Sequence, residues 1–315
     1  MRPRVYRAYG LRLRSPWPLS CAEERGPGRP DVELFDAAAD LLPEGRPRPG
    51  PPARGDDWFH YRRLPDGSDY LRWSALFEFV VSADGRRIAC HALGAVSREV
   101  FHTYLLGHVL SFALIRRHLE PLHATGVLVD GATVAFLGDC GRGKSTLGAA
   151  FIQAGHPLVT DDLLVVGERA AGFVTYPGMP RIKLFPRIAR PLLGEPAGGT
   201  PLNRFTAKLV LPLHGDQWVF QPRALPLGAL YVLAPASASA RGGEIRIRPL
   251  SPRRAFVELI RNTFNTMVVE PARLKRQFAL AARIASTVPV KRLAFPRRLA
   301  CLPSVRQAIR ADLAA

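Results

Sequence analysis

The chain has 315 residues, 47% hydrophobic and 22% charged, which suits a globular chain able to bury a sizeable core. Its net charge of +18 rests on 44 basic residues, but arginine is spread along the chain rather than clustered with aromatics, which argues against nucleic acid as a partner. Four widely separated cysteines with no CxxC pair argue against a zinc site or a disulfide framework. The basic N-terminus lacks an apolar signal core, and no stretch approaches the ~20 apolar residues of a membrane span. Composition therefore predicts a cytoplasmic protein with no membrane span and free thiols. Only five basic residues are lysine: Lys144, Lys183, Lys208, Lys275 and Lys291. The excess of Arg, with abundant Ala, Gly and Pro, is the composition of a GC-rich genome. A retained lysine is then a candidate for work that needs a compact ammonium.

In chain order, residues 1–57 read as an irregular N-terminal segment with at most a strand or two. It ends in the Pro/Arg-rich linker RPRPGPPARG, which cannot hold helix or sheet. Residues 58–119 read as β-hairpins plus a helix. Asp66-Gly67 and Asp84-Gly85 are turn dipeptides between aromatic-rich runs, and a helix from about Ser97 to His118 follows. GVLVDGATVAFLG then reads as a hairpin turning at Asp130-Gly131, and KSTLGAAFIQAG as a helix stopped by Gly155. PLVTDDLLVV reads as one strand running through two aspartates. Short strands are expected over 172–250, and the last 65 residues read as mainly helical, with Pro252 and Pro271 near helix starts.

Two local strings carry chemistry. The first is Gly138-Asp139-Cys140-Gly141-Arg142-Gly143-Lys144-Ser145, followed by Thr146, which fits the P-loop pattern G-x-x-x-x-G-K-[ST]. Glycines let backbone N–H groups curl around phosphate, the lysine supplies a flexible cation, and the Ser145 hydroxyl can ligate Mg²⁺. An apolar strand leads in and an amphipathic helix leads out, as the motif requires. The second string is Asp161-Asp162, 17 and 18 residues beyond Lys144. A right-handed crossover returns that strand parallel to the first, at the edge where ligands bind. Consecutive strand residues face opposite ways, so one carboxylate is expected to serve the metal and the other an incoming hydroxyl.

These residues, from His123 through Asp162, resemble the catalytic core of the HPr serine kinase/phosphorylase family. They are most similar to its shorter members, which include kinases of peptide precursors of the lasso type. The strong resemblance spans about 40 residues and weaker agreement about 190. It implies an α/β fold with a P-loop core related to HPr kinase and phosphoenolpyruvate carboxykinase, a small β-rich N-terminal region and C-terminal helices. Residues 120–315 would form the kinase domain. It further implies ATP and Mg²⁺ as cofactors, a peptide or small protein as phosphate acceptor, and a homo-oligomer. By position, Asp161 would be the base, Asp162 would support the metal with Ser145, and His123 would lie near the transferred phosphate. The chain departs from the family at Thr146, where glutamate is usual. It also has no counterpart of the RG-I-G-I segment tied to phosphorolysis, and its N-terminal region differs.

Neutralising a moving phosphoryl group needs a further cation. Arg181 and Lys183, alternating on a strand, are the candidates, with Arg142 and Lys208 behind them. His156, just past a helix end, is explained by the helix dipole alone. The same residues also suit a nucleotide-binding regulatory ATPase without phosphotransfer, or a small-molecule kinase.

Overall fold

A computed structural model of the chain describes residues 3–38, 42–43, 58–74, 76–194, 199–203, 206–213, 219–235 and 244–315. The Pro/Arg-rich linker lies outside the described residues. The chain divides into two units, Met1–Leu119 and Glu120–Ala315.

The first unit corrects the expectation of an irregular N-terminus. Four strands, β1 (Arg4–Ala8), β2 (Leu11–Ser15), β3 (Ala22–Glu23) and β4 (Val32–Asp36), precede β5 (Phe59–Arg63), β6 (Asp69–Trp73), β7 (Phe77–Val81) and β8 (Arg87–Ala92). All eight form one sheet in the order β3-β1-β2-β4-β8-β7-β6-β5. Arginines on β1 and β2 disguise the alternation, because Arg7, Arg12 and Arg14 stand on the face opposite Tyr6, Ala8, Leu11 and Leu13, which point inward. The first hairpin turns at Tyr9-Gly10, both at positive φ. The Ser97 hydroxyl accepts the Val100 N–H and caps α1 (Arg98–Tyr104). A π-turn at Leu105–Val109 separates it from α2 (Leu110–Arg116), and Phe101, Tyr104 and Phe112 pack on Trp73, Phe77, Phe79 and Tyr61.

The second unit is a mixed α/β structure. Its main sheet contains β9 (Leu122–Val129), β10 (Ala132–Leu137), β11 (Leu158–Thr160), β12 (Leu163–Arg169), β13 (Gly172–Tyr176), β17 (Leu225–Leu233), β18 (Arg246–Pro249) and β19 (Val290–Ala294). The order is β10-β9-β12-β13-β17-β19-β18; β11 pairs with β9, and β17 also pairs with β10, which closes the path on itself. A smaller sheet holds β14 (Arg181–Leu184), β16 (Thr206–Pro212) and β15 (Thr200–Asn203), in that order. The helices are α3 (Lys144–Gln153), α4 (Pro186–Leu193), α5 (Pro252–Arg261), α6 (Pro271–Thr287) and α7 (Leu302–Ala314). Among the described residues no helix is long and apolar enough to cross a membrane.

One core cluster packs α3, α4 and α7 on the sheet through residues such as Phe136, Phe151, Tyr231 and Ile309. Another packs α5 and α6 through Leu137, Leu164, Leu259 and Ile284. The β9–β10 hairpin turns at Asp130-Gly131 with both residues at positive φ. Both β10 and β11 run antiparallel to β9, so the chain that leaves β10 through α3 returns in the same direction, one strand further over. α3 lies close on β9: a Cβ added to Gly148 would come within 2.6 Å of Thr125 Cγ2. This close approach sets the glycine turn and the aspartates side by side.

Candidate active site

The site grows from the turn between β10 and α3. Gly138, Gly141 and Gly143 take φ of +143°, +80° and +88°, values that a side chain would strain. Gly143 stands at the N-terminal cap of α3 and offers no side-chain bond there, so the helix's first N–H groups depend on other partners. A cavity of about 560 Å³ lies over the turn, lined by residues 140–146 together with His123, Asp162, Lys183, Lys208 and the C-terminal segment around Arg297.

Lys144 is 6% exposed, and its Nζ folds back to the carbonyls of Gly138 (2.5 Å) and Asp139 (3.2 Å). Burial lowers its pKa, against the pull of the Asp162 charge. Two carbonyl dipoles hold the ammonium without cancelling its charge. Asp139 and Arg142 pair with each other at 2.9 Å, and the Cys140 thiol is exposed. Thr146 adds its side to the cavity wall.

The expected single strand through the aspartates does not form. β11 stops at Thr160, β12 starts at Leu163, and Asp162 between them adopts φ +70°. A non-glycine residue there carries a penalty of roughly 1–2 kcal/mol. The two carboxylates still take different partners, and of the two Asp162 lines the cavity while Asp161 does not. Both meet Lys183 on β14: Asp161 Oδ2 accepts its backbone N–H at 2.9 Å and Asp162 Oδ2 accepts its Nζ at 2.5 Å. Asp161 Oδ1 accepts from the hydroxyls of Ser145 (2.9 Å) and Thr125 (2.6 Å). The carboxylate bonded to Ser145 is thus Asp161, whereas the resemblance pairs Ser145 with Asp162.

Electrostatics separates the two acids. Burial raises the Asp161 pKa, and the neighbouring Asp162 charge raises it further. Burial also works against ionised Asp162, but Lys183 outweighs it and holds that carboxyl well below the usual range. Asp162 lines the cavity, and so does His123, whose pKa falls to about 4 through burial and the Lys144 charge. His123 therefore stands as a neutral imidazole, with its ring edge-on to Phe264 at 5.8 Å.

The two cations expected on β14 part company. Lys183 reaches the cavity, while Arg181, 9% exposed, is not among its lining residues. Lys208 lines it, lying 5.5 Å over the Phe185 ring. His156 Nδ1 bonds the Leu128 carbonyl beside the Phe151 ring, outside the cavity.

Two residues at the site carry no local signal in the sequence. Asn262, at the end of α5, accepts the Gly138 N–H on Oδ1 (2.7 Å), and its carbonyl accepts the His123 N–H (2.6 Å). Arg297 arrives from beyond β19. Each lies more than a hundred residues from the turn, so no string could announce it.

No protein-family model matches the chain, and no curated protein matches it. Among solved structures it is similar to the Hpr(Ser) kinase/phosphatase from Coxiella burnetii, at 14% identity and a TM-score of 0.34, over 62% of this chain and 99% of that one.

Proposed function

We propose that this protein is an ATP-dependent phosphotransferase that places the γ-phosphate on a hydroxyl of a peptide or small protein. The observation that carries the reading is the bond between Ser145 and Asp161, which joins the P-loop string to the aspartate pair beside buried Lys144. Such a hydroxyl–carboxylate pair is the protein's share of a Mg²⁺ site in P-loop nucleotide enzymes. Its donors are hard oxygens, so they fit the metal. The choice of a peptide acceptor rests on the resemblance of residues 123–162.

The roles of the two aspartates are exchanged relative to that resemblance. Asp161, tied to Ser145, supports the metal; Asp162, on the cavity wall, faces the acceptor. MgATP, with its metal held by Ser145 and Asp161, would supply the phosphoryl group and a divalent charge beside it. Lys144, now on the Gly138 and Asp139 carbonyls, would hold the phosphate chain. Asp162 would orient the acceptor hydroxyl; held a weak base by Lys183, it would take the proton late, as the new O–P bond forms and the bond to the β,γ-bridging oxygen breaks. Lys183 steadies Asp162 and the charge spreading over the phosphoryl oxygens.

The test is label transfer from γ-labelled ATP with Mg²⁺ to serine-containing peptides encoded beside this gene. Labelled acceptor is expected, with a loss of about 10²- to 10³-fold in Lys144→Ala. Label released only as inorganic phosphate, with every peptide unlabelled, would replace this reading with nucleotide hydrolysis.

A further inference from the structure

A cation in the cavity wall lacks an anion. Arg297 lies with its guanidinium 4.2 Å from the Phe295 ring centroid, and its Nη2 donates to the Ala234 carbonyl at 2.6 Å. Nη1 is shut off from solvent and has no hydrogen-bond partner among the described residues. A Cβ built on Gly143 would sit 3.4 Å from Nη1, so this unused donor lies beside the residue that caps α3, one step from Lys144. No carboxylate pairs with Arg297 among the described residues; the charge that acts on it is another cation, Arg142. Burial first, and Arg142 second, bring its pKa down to about 10. Burying a guanidinium costs free energy that a partner normally offsets, and here the chain provides none. Its neighbours Phe295, Leu299 and Leu302 line the same cavity and are apolar.

We propose that Arg297 is a nucleotide-binding residue, whose Nη1 donates to the phosphates that stay on the nucleotide after transfer, while Phe295, Leu299 and Leu302 form the wall for its base. The ligand class is a nucleoside di- or triphosphate. A planar guanidinium with a free N–H and a fixed stacking partner suits a phosphate oxygen better than a mobile lysine does. Its position between the Phe295 ring and the Gly143 turn, one step from Lys144, assigns it to the diphosphate portion. Contacts there are equal in ground and transition states, so they govern binding more than turnover.

The inference rests on the nucleotide site proposed above, and the experiment separates the two. Binding of ADP and ATP with Mg²⁺ is measured by calorimetry for wild type, Lys144→Ala, Arg297→Gln and Arg297→Lys, with apo and nucleotide-bound melting temperatures. Arg297→Gln is expected to weaken ADP and ATP alike by about 10- to 100-fold. The loss should appear in KM for ATP more than in kcat, with Arg297→Lys intermediate. Its apo melting temperature should hold, because an unpaired buried charge has been removed. If wild type binds nucleotide and Lys144→Ala loses it while Arg297→Gln binds as wild type does, this inference alone fails. It also fails if Arg297→Gln no longer folds, which would make the arginine structural. Absence of nucleotide binding in wild type sinks the underlying site, and this assignment with it.

Discussion

Two arginines in the Glu120–Ala315 unit meet burial in opposite ways. Arg273, fully buried at the start of α6, satisfies its whole guanidinium from the chain. Nε donates to Glu120 (3.0 Å), Nη1 to the Asn265 and Val268 carbonyls (2.5 and 2.9 Å), and Nη2 to the Phe264 carbonyl (2.6 Å). Around the cavity the accounts stay open. Arg297 keeps one unpaired donor, Lys144 rests on carbonyls, and Asp161 is held by hydroxyls and a backbone N–H with no cation in its hydrogen bonds. A buried charge completed by its own chain is architecture. One left incomplete beside the cavity is where, on the proposed reading, a ligand would contribute the missing partner.

The sharpest break of this contrast lies in the cavity. Asp162→Asn should lower transfer by 10²- to 10⁴-fold, the range of a positioned general base, with Mg²⁺ dependence unchanged. Asp161→Asn should instead raise the Mg²⁺ concentration needed for half-maximal activity. Titrating metal against rate for both variants tests the exchange of roles; a Mg²⁺ effect in Asp162→Asn and none in Asp161→Asn would reverse it. At the satisfied pole the readout is stability. Arg273→Met leaves buried Glu120 with Arg276 alone, at 3.3 Å, and should lower unfolding free energy by about 3 kcal/mol by urea titration. Turnover per folded molecule should hold. Unchanged stability would show that the network is ornamental.

That contrast was only partly legible in the residues. The glycine turn and the aspartate pair are contiguous strings, and the helix between them is short, so their approach follows from local length alone. What escaped depends on single backbone angles or on distant contacts. The left-handed φ of Asp162 breaks the strand where that carboxylate meets the Lys183 ammonium, and nothing in PLVTDDLLVV distinguishes this from an unbroken strand. Asn262 and Arg297 reach the turn only through the packing of α5 and the position of β19. In the first unit, arginine on the outer faces of β1 and β2 masked a regular alternation. Composition spoke louder than period there.

A smaller effect separates the poles by pH. His123 has a folded-state pKa of about 4 against an ordinary 6.5, because burial and Lys144 disfavour its charged form. The fold binds fewer protons than the unfolded chain between these values. The stabilisation from neutral His123 is therefore complete above pH 6.5 and is lost as pH falls toward and through 4. At ~1.4 kcal/mol per pH unit this amounts to roughly 3 kcal/mol. Melting curves from pH 7 to 4 should fall less steeply for His123→Gln than for wild type, and parallel curves would show that the imidazole titrates freely. The Asp162 contribution, from a depressed carboxyl, is lost only at lower pH.

The smallest expected effect tests whether the satisfied framework holds the unsatisfied site in place. Asn262 belongs to both: Nδ2 donates to the Glu258 carbonyl inside α5, while Oδ1 takes the Gly138 N–H at the start of the turn. Asn262→Ala leaves that N–H buried without an acceptor, a loss of about 1–3 kcal/mol. The turn can recover part of this by loosening toward solvent, and loosening moves the N–H groups of the next residues. The substitution should therefore raise KM for nucleotide several-fold at little change in kcat. Thr263→Ala is the control, since among the described residues its hydroxyl bonds only the Leu259 and Ile260 carbonyls. Equal KM values in the two variants would mean that the glycine turn keeps its shape without α5, and that the latch serves stability alone.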